Sequence, residues 1–217
     1  MSSAIDSSYG GLYWGWGNRK DTFNKINIWV PPSGHVAAVF SRSARIGELW
    51  SAAAGSRRGR ILTMTQLEYA PSLAERDLLY GSGNAVNPIA QFPNRGIMVY
   101  GDRTLKRGGS IFDHMHVRML MIAIKKSIKG VLTDYLFEPN DRFLWDQIKN
   151  TIDPLLGDIQ ARRGLDGYRV ICDESNNTKE RRAQNQVWVS VLLVPTGIAE
   201  AIVVNMVALR QTQTFTA

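Results

Sequence analysis

From Asp113 to about Gly130 the apolar side chains return every three or four positions, at Val117, Leu120, Met121, Ile124 and Ile128. That spacing makes one stripe of a helix, and it predicts a helix capped by Asp113 that runs to Gly130 or one turn beyond. Arg118, Lys125 and Lys129 fall together on the other side and give this helix a basic solvent face. A second helix is predicted from "EPND", capped by Asn140 or Asp141, with Leu144, Ile148 and Ile152 as its buried stripe. Pro154 lacks an N–H and crowds the preceding turn, so the helix is expected to kink there or restart at Asp153-Pro154. It should end at "ARRGLDG".

The period then changes to two. "YRVICDE" predicts a short strand, "NNTKERRAQNQ" a polar loop, and "VWVSVLLVP" and "AIVVNMVALR" two β-branched strands flanking Pro195-Thr196-Gly197. Val187, Val189, Val191 and Leu193 point one way, and Trp188, Leu192 and Val194 are also apolar, so this strand is expected to be covered on both faces. Strand, helix, helix and three strands describe an α/β module from about Arg95 onward.

The first hundred residues are less periodic. Ile26, Ile28 and Val30 predict a strand ended by Pro31-Pro32, and "GHVAAVFSRSARIGELW" a short helix with Val36, Val39 and Phe40 inward. "AAAGSRRGRIL" reads as a basic loop, and a further short helix runs from Ser72 to near Gly81. Pro88, Pro93 and Gly96 are read as turn positions, with a strand from Ile97 to Tyr100. "KRGGSIF" is the best internal boundary.

Composition narrows the function classes. The 217 residues are 44% hydrophobic and 21% charged, which suits one large or two small domains with a real core. Net charge is +7 with a pI near 9.7, suited to an acidic partner. Seven basic residues and two acidic ones lie between Gly101 and Gly130, so that segment holds most of the excess. One cysteine, Cys172, excludes an intramolecular disulfide and a cysteine-rich zinc site. No apolar run approaches the ~20 residues of a membrane span. The N-terminus lacks the pattern of a signal peptide, so a soluble protein made in the cytoplasm is expected.

Candidate chemistry is thin. Asp113, His114 and His116 suggest a metal site, but residues two apart on a helix do not share a face, and His35 has no visible route to them. "GSGNAV" matches only half a dinucleotide fingerprint, with Val86 in place of the third glycine. Cys172 in "CDESNN" has no positioned base, and no "GxSxG" turn exists. No catalytic group, cofactor or metal is expected. "SRRGR" and the basic helix face leave three readings in descending order: a solvated face, a docking surface for an acidic protein, and nucleic-acid binding. The aromatics of "YGGLYWGW" do not alternate with these charges, so no base-stacking platform is indicated.

Six segments taken in order resemble a known family. "SSYGGLYWGW", "VPPSGHVAAVFSR", "NPIAQFPNRGIMVYGDRTL", "FDHMHVRMLMIAIKKSIK", "FEPNDRFLWDQIKN" and "VICDESNN" are together similar to contractile bacteriophage tail sheath proteins of the T-even type. The resemblance implies an α/β fold: residues 1–100 as the end of a subtilisin-like domain without protease chemistry, and 101–217 as a C-terminal domain of two main helices on a mixed sheet. It implies a non-enzymatic virion component made in the host cytoplasm. Its subunits would stack as hexameric rings around an inner tail tube, meet baseplate and tail terminator proteins, and contract to drive the tube through the host envelope. Family members also carry an N-terminal arm and outer domains ahead of the first motif, so this chain is expected to be a fragment or one piece of a split sheath.

Two sets of site residues follow from that resemblance. Residues 198–217 are expected to form an arm for strand exchange between subunits, through Ala201, Ile202, Val203, Val204, Asn205, Met206, Val207, Ala208, Leu209 and Arg210. The tube-facing candidates are Arg162 and Arg163, then Lys125 and Lys129. The alternative is a basic nucleic-acid-binding module.

Overall fold

The apolar stripes are buried in two separate clusters. A computed structural model describes residues 5–81 and 85–200. The chain runs β1 (Leu12–Trp14), β2 (Gly17–Lys20), β3 (Asn27–Val30), α1 (Ser33–Ile46), α2 (Gly55–Arg58), β4 (Gln66–Leu67), α3 (Leu73–Tyr80), β5 (Val86–Phe92) and β6 (Gly96–Val99). A 3-10 turn at Ile111–Asp113 leads into α4 (Met115–Thr133) and α5 (Arg142–Ala161), followed by β7 (Leu165–Ile171), α6 (Lys179–Ala183) and β8 (Ser190–Pro195). The fold is mixed α/β, as the resemblance implies.

The first cluster joins Val36 and Val39 of α1 to Leu67, Ile89, Ile97 and Val99 beneath two small sheets, in the orders β1-β5-β6 and β3-β2-β4. β5 pairs parallel with β1 and antiparallel with β6. Pro88 was expected at a turn, yet it lies inside β5. The ladder to β6 ends at Ile89 opposite Val99, so the missing N–H falls just past the last pair, and the Pro88 carbonyl still accepts from Tyr100 N at 2.9 Å. α3 starts as expected, with a capping box between Ser72 and Glu75. Residues 55–58 were read as a loop and form the short helix α2, closed by Gly59 N donating to Gly55 O at 2.8 Å.

The second cluster is built by α4, α5 and the β7–β8 pair. Leu120 and Ile124 meet Leu144, Trp145, Ile148, Ile152, Leu156 and Ile159, with Leu165, Val170 and Cys172 from the sheet side. Asp141 caps α5 by accepting from Leu144 N at 2.9 Å. α5 neither breaks nor restarts at Pro154. A proline inside a helix costs about 3 kcal/mol, whereas each fully buried Leu or Ile contributes about 1.5–3 kcal/mol. Ile152, Leu156 and Ile159, flanking the proline, are all buried and anchor both sides of one continuous helix. Pro154 and Asn150, whose carbonyl loses its donor, are both exposed, so water can satisfy that carbonyl.

The start of α4 departs from the expected cap. His114, in extended conformation, occupies the cap position, and Asp113 closes the preceding 3-10 turn. The helix is capped from a distance: Asp102 O accepts from Met115 N at 2.7 Å, and Asp102 Oδ2 accepts from His116 N at 3.2 Å.

Candidate functional site

The β7–β8 pair is antiparallel from Leu165–Pro195 to Ile171–Ser190, and among the described residues neither strand has a second partner. Val187, Val189, Val191 and Leu193 pack on the second cluster, as their alternation predicts. The other face is not covered, contrary to expectation. Trp188, Leu192 and Val194 are 48%, 54% and 57% exposed, although the α6 residue Arg181 stacks over the Trp188 ring. The third predicted strand, with Ala201 to Arg210, lies outside the described residues. Along β7 runs an open, mostly polar groove of about 530 Å³, lined by Lys149, Asp153 and Gln160 of α5 and by Tyr168, Arg169 and Asp173. Two edges open among the described residues, an exposed apolar face and a polar groove make this the candidate surface.

The "CDESNN" motif is a knot beside that sheet. Asn177 Nδ2 donates to Asp173 O at 3.2 Å and Trp188 O at 3.1 Å, while Trp188 N donates to Asn177 Oδ1 at 2.7 Å. Arg181, on the α6 helix that replaces part of the expected polar loop, lies 4.0 Å over the Trp188 ring. Burial pushes the Cys172 thiol up to about 11, so it is protonated near neutral pH and is no nucleophile.

Of the basic candidates, Arg162 caps the end of α5. Its side chain reaches Asp158 Oδ1 at 3.1 Å and Glu48 Oε1 at 3.4 Å, and its carbonyl accepts from the Trp50 indole at 3.3 Å. Arg163 follows in the left-handed region, with φ 61°, and makes no ion pair among the described residues. Lys125 and Lys129 lie one turn apart on α4 and are exposed. Arg118 does not join them on a solvated face. Its guanidinium sits 4.4 Å over the Tyr9 ring and 4.2 Å over Phe112, and it donates to Ser8 Oγ.

The two neighbouring histidines do come together, since His114 is extended and only His116 is helical; their ring centroids are 5.6 Å apart. His116 Nδ1 lies 2.5 Å from Asp102 Oδ2, in a pair only 6% and 3% exposed. His114 Nδ1 lies 2.6 Å from Asp113 Oδ1 and its Nε2 3.1 Å from Glu200 Oε1. Glu200 also accepts from the Tyr80 hydroxyl and from Arg103 Nη2 at 3.4 Å. His35 is elsewhere, against Thr63 Oγ1 at 2.6 Å. Among the described residues no group of three or more metal-ligating side chains converges. Sequence reading missed Asp102, Arg103, Tyr80 and Glu200, which come from three separate segments and carry no local signal.

These features describe a mixed α/β module with an exposed apolar sheet face and no converging metal-ligand group among the described residues. Residues 109–208 match the phage tail sheath C-terminal domain family. The chain is 34% identical over 206 residues to the tail sheath protein of Vibrio phage KVP40, covering 95% of this chain and 29% of that protein. It is 31% identical over 207 residues to the tail sheath protein of Enterobacteria phage T4, covering 94% of this chain and 31% of that protein. The chain is thus similar to phage tail sheath proteins and spans about a third of the length of these curated relatives. Solved structures agree on the fold. The sheath of an extracellular contractile injection system in its contracted state superposes with a TM-score of 0.84 at 24% identity, over 94% of this chain and 57% of that one. The contracted helical sheath of the anti-feeding prophage gives 0.82 at 21%, over 95% and 58%.

Proposed function

We propose that this chain is part of a structural subunit of a contractile phage tail sheath, which stacks as hexameric rings around an inner tube and contracts to drive that tube through the host envelope. The observation that carries the reading is the identity with tail sheath proteins along nearly the whole chain. In this reading residues 1–100 are the end of a subtilisin-like domain and 101–217 the C-terminal sheath domain. The two separate core clusters support that division. The module does no catalysis; its partners are other copies of itself, the tube, the baseplate and the tail terminator, and it resides in the virion.

Subunits are joined by exchanged strands. The open edges of β7 and β8 support this, because an unpaired strand presents a row of unmatched N–H and C=O groups. Residues 198–217 supply the arm, with Ala201–Arg210 as the pairing run. Deleting Ile198–Ala217 is expected to abolish tube formation while the remaining fold keeps its helical circular dichroism. Normal polymerisation of the truncated chain would end this idea.

The tube contact is basic and runs through Arg163, Arg162, Lys125 and Lys129. Arg163 is the strongest of these, since Arg162 already shares its charge with Asp158 and Glu48. Exposed pairs contribute about 0–1 kcal/mol each, which lets subunits slide yet sums over many copies. Reversing Arg162 and Arg163 to Glu together is expected to prevent co-assembly with the tube protein; unchanged co-sedimentation would remove both from the contact.

A further inference from the structure

The two ends of the segment Thr196–Glu200 are each held by a histidine from the start of α4. His116 Nε2 lies 3.4 Å from Thr196 O, with its Nδ1 on Asp102 at 2.5 Å. His114 Nε2 lies 3.1 Å from Glu200 Oε1, with its Nδ1 on Asp113 at 2.6 Å. All four partners are a carbonyl or carboxylate oxygens. A neutral imidazole has one N–H and one lone pair, so it donates to one such oxygen and confronts the other without a proton. Each ring satisfies both of its neighbours only when it holds two N–H groups.

The rest of the receptor is set in advance. The Tyr80 hydroxyl, which donates to Glu200, also accepts from Asp102 N at 3.3 Å. Arg103 is held by Asp113 at 3.0 Å and lies 5.2 Å over the Tyr80 ring. Asn87 Oδ1 accepts from Arg103 N at 2.7 Å.

We propose that His114 and His116 form a proton-gated clasp on residues 196–200. With both rings doubly protonated the segment is held at each end; with neutral rings one bond of each pair is lost and the exit of the chain towards residue 201 loosens. The charges facing the rings fit this gating. Asp102 approaches from the segment after β6, Asp113 from the 3-10 turn and Glu200 from beyond β8; Arg103 pairs with Asp113 and Glu200, the Tyr80 phenol of α3 with Glu200, and the Tyr13 phenol of β1 lies near Asp102. Three carboxylates stand against one guanidinium, so two imidazoliums balance the cluster and two neutral rings leave it negative.

Glu200 sets the acid limit. Burial pushes its carboxyl up, but the Tyr80 hydrogen bond, the Arg103 charge and His114 outweigh this and hold it below the ordinary 4.5. Its bonds are therefore complete above that value and are lost as the pH falls through the lowered one. Above that limit the clasp is tight while both rings are doubly protonated, and it opens when they become neutral.

This deepens the reading of residues 198–217 as an exchanged arm and rests on that reading only for its consequence, that the arm's exit direction is fixed or freed by protons. The test is hydrogen exchange of the isolated full chain between about pH 5 and about pH 8, corrected for intrinsic exchange, with α5 as internal reference. Protection at residues 196–200 is expected to fall severalfold across that range while α5 stays constant. His114→Gln should flatten the fall. Tyr80→Phe should lower protection by a constant factor and leave the fall in place. Protection of 196–200 that does not change with pH, or that falls equally in His114→Gln, would overturn the clasp. Neither result bears on whether the protein polymerises, so a failure of the lattice reading is separately visible.

Discussion

Asn177 is 2% exposed, and its amide uses both its oxygen and its nitrogen on the chain that leads into β8. A buried polar group left without a partner costs about 1–3 kcal/mol, and Asn177→Ala would strand Trp188 N and Trp188 O, while Asp173 O keeps the Asn177 backbone N–H at 2.9 Å. That variant is expected to lower unfolding free energy by about that amount in chemical denaturation, with Trp188 fluorescence reporting a loosened β8 start. Asn87 does the same work in the first half: fully buried, it donates to Leu12 O at 3.1 Å and Arg103 O at 2.8 Å. Gly101 is required beside it, because an added Cβ would lie 2.7 Å from Asn87 Oδ1 and 2.8 Å from the Tyr80 ring. None of these ties was legible in the sequence. Each joins residues brought together by the fold, whereas periodicity reports only which face of a local element is apolar. Asp113 illustrates the trap: it has the right chemistry in the right place for a cap, but Asp102, folded back from β6, reaches the helix instead.

Elements fared better than residues, because their stripes are long. Val117, Leu120 and Ile124, and Leu144, Ile148 and Ile152, are all buried as their spacing requires. The misses are short or context-driven. α2 and α6 are helices of four and five residues, below the length at which periodicity speaks. α5 passes through Pro154 because packing on both sides outweighs one lost bond. Pro154→Ala restores an N–H facing the Asn150 carbonyl and is expected to stabilise the chain by up to about 3 kcal/mol, seen as a raised Tm. An unchanged or lowered Tm would mean that the helix had adapted to the ring. On β8, alternation predicted the inward set correctly, but apolar character on the outward set was mistaken for burial. Those exposed positions offer a clean separation of folding from assembly. Leu192→Lys with Val194→Lys should leave monomer stability within about 0.5 kcal/mol and yet prevent association. Loss of folding instead would place both residues in the core.

At the scale of the molecule, the net charge of +7, two core clusters and an open two-stranded sheet describe a module suited to being one unit among many. A two-stranded sheet is marginal alone, and in the proposed function strands contributed by neighbours would complete it. If the basic candidates on α4 and after α5 make the proposed tube contact, it is electrostatic, and assembly on tubes should weaken as salt rises from about 0.1 M to about 1 M, where the Debye length shrinks from about 10 Å to about 3 Å. The central claim is that this chain belongs to a contractile sheath lattice. The most direct test is negative-stain electron microscopy of the purified protein, alone and mixed with its cognate tube protein. The account predicts cylinders with a helical repeat around the tube, absent when Ile198–Ala217 are removed. Monodisperse particles in both samples, even with the remaining two-thirds of the relatives' length supplied, would contradict it.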